Sequence, residues 1–344
     1  MKRNKGDVKL LLLGQAESGK STLQKQFQLM YKPSSIDQER VSWKTVIYFN
    51  VVHSLKHILS TLEAWDDTLD DELLEDSSSV APNRLRINNN AQQPSPSDVG
   101  RMLSNAKDDI KELWGHPTVE GLIARRKLKL DEWSEFFLRH ISRVAAPDYI
   151  PTTDDILHAR IQTMGVAEHI FDVNIHGKSV SWHLFDVGGA RGQRHSWVPY
   201  FDDANAIIFV APVSAFDQYL EEDPRTNRID DSLQLFTQIC SNSLLKSVHL
   251  VLFLNKTDLL KAKLDAGQKV RKYITSFGER PNDYETVVQY FRAHFLQVHR
   301  RNNENRRVLY THFTSVVDTK ATQRIIGNVR DSIFRGYLQS AALV

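Results

Sequence analysis

Val8-Lys9-Leu10-Leu11-Leu12-Leu13, running straight into Gly14-Gln15-Ala16-Glu17-Ser18-Gly19-Lys20-Ser21-Thr22, is the stretch that decides the fold. The apolar run is short and stops at a glycine, which reads as a buried strand rather than a signal peptide. From Gly14 to Ser21 the residues fit G-x-x-x-x-G-K-[ST], and a helical pattern follows at about 19–30. Backbone N–H groups of such a loop converge on phosphate oxygens, and the N-terminus of the following helix adds a favourable dipole. Lys20 would reach the outer phosphates and the Ser21 hydroxyl would ligate Mg²⁺. A glycine turn of no function is the plainer alternative. The placement between strand and helix weighs against it, and it marks the start of an α/β nucleotide-binding unit.

Two further stretches sharpen the chemistry. Phe253-Leu254-Asn255-Lys256-Thr257-Asp258 ends an apolar run with the form N-K-x-D. A carboxylate at that point can accept from both N1–H and the 2-amino group of guanine, a donor pair that adenine lacks, and the lysine stem can lie flat over the ring. Asp186-Val187-Gly188-Gly189 closes another strand. Its aspartate stands like a Walker-B residue holding Mg²⁺ through water, and Gly189 lets the backbone approach a γ-phosphate. Each motif alone has an ordinary reading as a polar or glycine turn. Their order along one chain favours a guanine nucleotide site.

Away from these motifs the chain is unexceptional for a globular protein. It has 344 residues, too many for one ordinary core, with 41% apolar and 25% charged residues. Lys and Arg number 44 against 42 Asp and Glu, so the balance gives no reason to expect nucleic-acid binding. Cys240 is the single cysteine, which rules out a disulfide framework or a Cys-rich zinc site and suits a reducing compartment. No apolar run reaches the ~20 residues of a membrane span. Met1-Lys2-Arg3 lacks the glycine that N-myristoylation requires.

Strand patterns recur at Ile170–Ile175, Val180–Phe185, Ala206–Val210, Val248–Leu254 and Val308–Phe313, with helix patterns near 191–200, 229–241, 283–299 and 321–338. Near-continuous apolar strands imply a parallel sheet covered on both faces. Residues 37–75 and 98–142 carry helical periodicity instead, with Val46, Tyr48, Phe49, Val52, Leu55 and Leu59 among the apolar positions. Ser77–Asp98, rich in Ser, Asn, Gln and Pro, reads as a disordered loop. Trp43, Trp65, Trp114 and Trp133 read as helix-packing residues, Arg125-Arg126-Lys127 as a solvated face, and Arg300-Arg301 with Arg306-Arg307 as a loop before a strand.

At this point the chain resembles the alpha subunits of heterotrimeric G proteins. Besides the three motifs, Tyr149-Ile150-Pro151-Thr152 with Asp155 to Thr163, Glu222-Asp223-Pro224-Arg225-Thr226-Asn227-Arg228 with Ser232-Leu233-Gln234-Leu235-Phe236, and Tyr310-Thr311-His312-Phe313-Thr314 with Asp318-Thr319-Lys320 are similar to that family. The resemblance implies a Ras-like P-loop domain, residues 1–30 and 153–344, with a mostly parallel six-stranded sheet. An all-helical domain, residues 31–152, interrupts it. It implies GTP or GDP and Mg²⁺ as ligands. The nucleotide would be contacted by Glu17, Ser18, Gly19, Lys20, Ser21, Thr22, Leu157, His158, Ala159, Arg160, Gly189, Asn255, Lys256, Asp258 and the backbone at Val316. Ser21, Thr163 and Asp186 would serve the metal, and Arg160 would be the arginine finger supplied in cis. The C-terminal helix would face a G-protein-coupled receptor, and an effector would read the switches. A cytoplasmic place at the inner face of the plasma membrane, reached through partners, follows.

The departures from the family pattern bear on turnover. Ala190 stands where the family has a glutamine that orients the attacking water, and Gln193 lies about a helical turn further on, not an obvious substitute. Ala16 and Gln15 replace smaller residues in the phosphate loop, and Val316 sits among larger residues than usual. Only Met1–Asp7 precede the first strand, so the family's N-terminal helix for the beta-gamma dimer is expected to be missing and beta-gamma binding to be weakened, unless the sequence lacks its start. The expectation is tight GTP binding with slow hydrolysis. The alternative is a non-hydrolysing module held permanently in the active form. A P-loop ATPase or kinase is disfavoured by Asn255-Lys256-Thr257-Asp258.

Overall fold

The computed structural model describes residues 7–66, 95–125, 127–175, 177–303 and 307–340, and it divides into two compact units, 1–34 with 162–344 and 35–161. Met1-Lys2-Arg3, most of Ser77–Asp98, Arg126 and Arg306, to which the sequence assigned features, lie outside the described residues.

The first unit is built on a six-stranded sheet in the order β2-β3-β1-β4-β5-β6. The strands are β1 (Val8–Leu13), β2 (Val166–Ile175), β3 (Lys178–Val187), β4 (Ala206–Pro212), β5 (His249–Asn255) and β6 (Leu309–Phe313). All neighbours run parallel except β2, which pairs antiparallel with β3. Side chains alternate across the sheet. Leu11, Leu13, Ile207, Phe209, Leu252 and Leu254 enter one core, with α9 (Arg228–Ser241), α10 (Thr257–Asp265) and α11 (Tyr284–Arg301). Leu10, Leu12, Ile208, Val210, Val251 and Phe253 enter the other, with α1 (Lys20–Tyr31) and α12 (Thr319–Ser340). Each fully buried Leu, Val or Phe contributes roughly 1.5–3 kcal/mol, which is why the central strands read as unbroken apolar runs. Lys9 is the exception inside β1. Its ammonium reaches the Asp202 carbonyl at 2.8 Å and lies over the Phe185 and Tyr200 rings.

Several expectations change in detail. Edge strand β2 is not apolar throughout: Phe171 and Val173 are buried, whereas Ile170, Asp172 and Asn174 face out, the period-two pattern of a strand with one wet face. Residues 191–200 form a 3₁₀ helix with Pro199 inside it rather than a regular α-helix. Arg300 and Arg301 close α11 rather than lying in a loop, where their charge suits the negative end of the helix.

The second unit is all helical: α2 (Pro33–Asp66), which begins at the unit boundary, then α3 (Pro96–Asn105), α4 (Lys107–Trp114), α5 (Pro117–Ala124), α6 (Glu132–Arg139), α7 (Ile141–Val144) and α8 (Thr153–His158). Ile47, Tyr48, Val51, Leu55 and Ile58 form the buried stripe of α2, so Phe49, expected inside, points outward at 44% exposure. The four tryptophans Trp43, Trp65, Trp114 and Trp133 pack against this core. Ser95 to Asp98 is not loop. Ser95 caps α3 in a capping box with Asp98, and Pro96 occupies the first turn, a start signal that the polar composition of the stretch obscured. Thr152 and Asp155 form a second capping box at α8, where Asp155 also takes both arms of the Arg143 guanidinium at 2.6 and 2.7 Å. Burial opposes ionisation of Asp155, but the Arg143 and Thr152 bonds outweigh it and hold its carboxyl below the usual range. Among the described residues no helix is long and apolar enough to cross a membrane.

Candidate functional site

The motif residues of the first unit all lie at the carboxyl ends of parallel strands, where open α/β sheets bind ligands. β1 runs into the loop 14–19, β3 into Gly188-Gly189, β5 into Asn255-Lys256 and β6 into Thr314. Gly19 and Gly189 are forced. A Cβ on Gly19, whose φ is +104°, would stand 2.4 Å from the Asn255 amide nitrogen. One on Gly189 would stand 2.4 Å from the Gln15 carbonyl carbon and 2.5 Å from the Ala16 nitrogen, so the backbone after β3 touches the phosphate loop directly. Glu17 and Lys256, both non-glycine, hold left-handed φ values of 58° and 64°. Such strain persists only where the surroundings impose it, and it concentrates at functional loops.

Lys20 begins α1 and is 5% exposed. Its ammonium turns back to donate to the Gly14 and Gln15 carbonyls at 3.0 and 2.8 Å, so it lies along the loop. Burial pushes its pKa down to about 8; Asp186 partly offsets this, and Arg194 and Arg228 add to it. A cation so poorly solvated gains most from an approaching anion. Ser18 Oγ is buried without a hydrogen-bond partner in the same loop, and Thr22 is half-buried in the first turn of α1.

Ser21, Thr163 and Asp186 come together although 165 residues separate the first from the last. Ser21 Oγ lies 2.8 Å from Thr163 Oγ1 and donates to Asp186 Oδ2 at 2.6 Å, while Asp186 Oδ1 is buried without a partner. These are hard oxygen donors with unspent acceptor capacity, the donor set that suits Mg²⁺ when water and phosphate oxygens complete its shell.

Asn255 ties three loops together. Fully buried, it donates to the Ser18 carbonyl at 2.8 Å and accepts from Thr314 Oγ1 at 3.0 Å and the Val316 N–H at 3.2 Å. The Val316 amide, assigned by sequence to a guanine oxygen, is thus taken here by Asn255, while its carbonyl accepts from buried Gln26 at 2.8 Å. Asp258 is exposed in the first turn of α10. Removing the Asn255 side chain strands several buried polar groups at about 1–3 kcal/mol each before relaxation. Asn255→Ala is therefore expected to lower stability by about 2–4 kcal/mol in urea titration, and a loss under about 1 kcal/mol would show that the loops do not depend on it.

Ala190 follows Gly189 in extended conformation and places only a methyl group there. The Gln193 amide donates to the Met164 sulfur at 3.3 Å and lies over Gly188. Arg194 donates to the Gly189 carbonyl at 3.2 Å and pairs with buried Asp231 at 2.6 Å, and Arg191 bridges Asp223 and Asp231.

Leu157, His158, Ala159 and Arg160 belong to the second unit. Leu157 and Ala159 are buried, and the His158 ring stacks on Phe136 at 3.8 Å. Arg160 exchanges two backbone bonds with the Asn50 amide, at 2.9 and 3.0 Å, and its guanidinium lies 3.3 Å from Asp131 and 6.0 Å from the Trp133 ring. Sequence reading assigned nothing to Asn50, Asp131, Gln26 or Arg228. Arg228 falls in a stretch similar to the family, but nothing local gives any of the four a role, because their partners lie far away in the chain.

Comparison with known proteins agrees with these motifs. A family model described as G-protein alpha subunit matches residues 1–333. The chain is 32% identical to a guanine nucleotide-binding protein subunit alpha of Cochliobolus heterostrophus, over 100% of this chain and 92% of that protein. It is 33% identical to a guanine nucleotide-binding protein alpha-1 subunit of Mycosarcoma maydis, over 99% and 92%, and 32% identical to the G-protein complex alpha subunit gpaA of Aspergillus fumigatus, over 100% and 92%.

Proposed function

The chain belongs to the G-protein alpha-subunit family and so is a guanine nucleotide-binding signal transducer, and from that membership we propose a GDP/GTP switch whose hydrolytic step is slow. The observation that carries the second half is Ala190. It stands next to Gly189 with no side-chain donor or acceptor, beside a phosphate loop that keeps Gly19, Lys20 and Ser21.

In this reading the loop amides of Glu17 to Thr22, with Lys20, take the phosphates. Asp258 selects guanine, Lys256 covers the ring, and Asn255 and Val316 shape the base pocket. Leu157 to Arg160 supply the remaining contacts. Ser21, Thr163 and Asp186, which share hydrogen bonds, would hold Mg²⁺, with Asp186 serving it through water, and the ion would neutralise phosphate charge. Lys20 and Arg160 stabilise charge on the γ-phosphate as water attacks in line, with Ala190 leaving that water unpositioned. Receptor docking at α12, an effector on the switch surface, a beta-gamma partner and a place at the inner face of the plasma membrane are the family's usual arrangements and are proposed here on that ground.

A second reading, a module permanently in the active form, is favoured by one observation. Arg191 and Arg194 are held by Asp223 and Asp231, so the segment after Gly189 is ordered by the protein's own charges. The test is the nucleotide on freshly purified protein, identified by chromatography after denaturation. GTP at high occupancy is expected. Stoichiometric GDP would show that hydrolysis is not slow and overturn both readings.

A further inference from the structure

Gln15 has no role in the motif reading, where a small residue would serve as well. In the structure it is 1% exposed and fully engaged. Its Nε2 donates to the Arg228 carbonyl at 2.7 Å, and its Oε1 accepts from Arg228 Nε at 2.9 Å. The assignment of the two amide atoms is unambiguous, since a guanidinium only donates and a carbonyl only accepts. The same guanidinium donates to Glu17 Oε2 at 2.8 Å, to the Ala16 carbonyl and to Gln218 Oε1 at 3.2 Å. One arginine at the start of α9 therefore grips three consecutive residues of the phosphate loop, and Glu17 holds its left-handed φ within that grip.

One turn along α9, Asp231 holds Arg191 and Arg194 of the segment after Gly189. Gly189 itself packs on the Gln15 backbone. The first turn of α9 thus meets both the phosphate loop and the segment beside it.

We infer that Gln15 and Arg228 form a latch that holds the phosphate loop closed and sets the rate at which bound guanine nucleotide leaves. This rests on the guanine nucleotide reading above. Phosphates leave only when the loop amides swing off them, and that motion must break the reciprocal Gln15–Arg228 bonds together with the guanidinium contacts to Ala16 and Glu17. Bonds of this kind, buried and partly charge-assisted, are among the stronger ones in proteins. A clamp that merely stabilised the fold would be intact throughout release and would leave the rate unchanged.

The test is release of fluorescent mant-GDP from the Mg²⁺-loaded full chain, chased with excess GDP. Gln15→Met keeps the volume and removes both bonds, and is expected to speed release about tenfold, a barrier change of about 1.4 kcal/mol. Arg228→Lys keeps the charge but lacks the planar fork, and is expected to speed release at least as much. If the two act through one latch, Gln15→Met adds little in the Arg228→Lys background. Equal release from Gln15→Met and unmodified protein overturns the latch, as does a full, additive effect in the double variant. If Gln15→Met does not fold, Arg228→Lys decides alone, unchanged release overturning the latch. Failure of the unmodified chain to retain mant-GDP overturns the nucleotide reading and the latch together.

Discussion

Replacing Ala190 by glutamine is expected to raise single-turnover GTP hydrolysis by ~10²–10³, the range seen when one positioned hydrogen-bonding group is removed from or restored to an active site. The backbone at Ala190 is extended and follows Gly189, which lies on the phosphate loop, so a side chain there projects from a fixed point. Gln193 does not supply the same group, since its amide rests on the Met164 sulfur and over Gly188. The change should leave GTP affinity nearly unaltered, because Lys20, Ser21 and Asn255 are untouched. The measurement is release of labelled phosphate from prebound GTP after addition of Mg²⁺. Equal rates in the two proteins would mean that Ala190 is not what limits turnover.

Asp258→Asn is expected to weaken GDP binding by ~10²–10⁴, since two hydrogen bonds to a carboxylate, about 1.5–3 kcal/mol each, are lost or inverted. The asparagine amide sets an N–H against the N–H groups of guanine. Xanthine, with an oxygen in place of the 2-amino group, restores a donor–acceptor match, so the variant should prefer xanthosine diphosphate over GDP. The Asn255 side chain cannot compensate, because Ser18, Thr314 and Val316 already occupy it. Competition against mant-GDP by GDP, xanthosine diphosphate and ATP measures both effects. A loss of GDP affinity below tenfold, or ATP competing as well as GDP with the unmodified chain, would remove Asp258 from base recognition.

Much of the architecture was readable before any coordinates. The six strands were legible because a strand buried on both faces must be apolar at nearly every position, and Leu10 to Leu13 or Leu250 to Leu254 leave little other reading. The wet face of β2 blurred that signal, and Phe49 shows that helical periodicity fixes a buried face only to within a neighbouring position. Capping at Ser95 was present in the residues but masked by the polar, Pro-containing composition around it.

The candidate site divides in the same way. Gly14 to Ser21, Asp186 to Gly189 and Asn255 to Asp258 are contiguous stretches whose chemistry depends on local backbone shape, so residue order alone determined them. It determined the absence of a glutamine at Ala190 as well. The grouping of Ser21 with Thr163 and Asp186 came from the family resemblance, whereas the three-loop tie at Asn255 and the grip of Arg228 on Gln15, 213 residues away in the chain, were decided only by tertiary structure. Hydrogen bonds of that span have no period and no spacing. They exist because parallel strands bring their carboxyl ends to one edge of the sheet, and side chains far apart in the sequence become neighbours there.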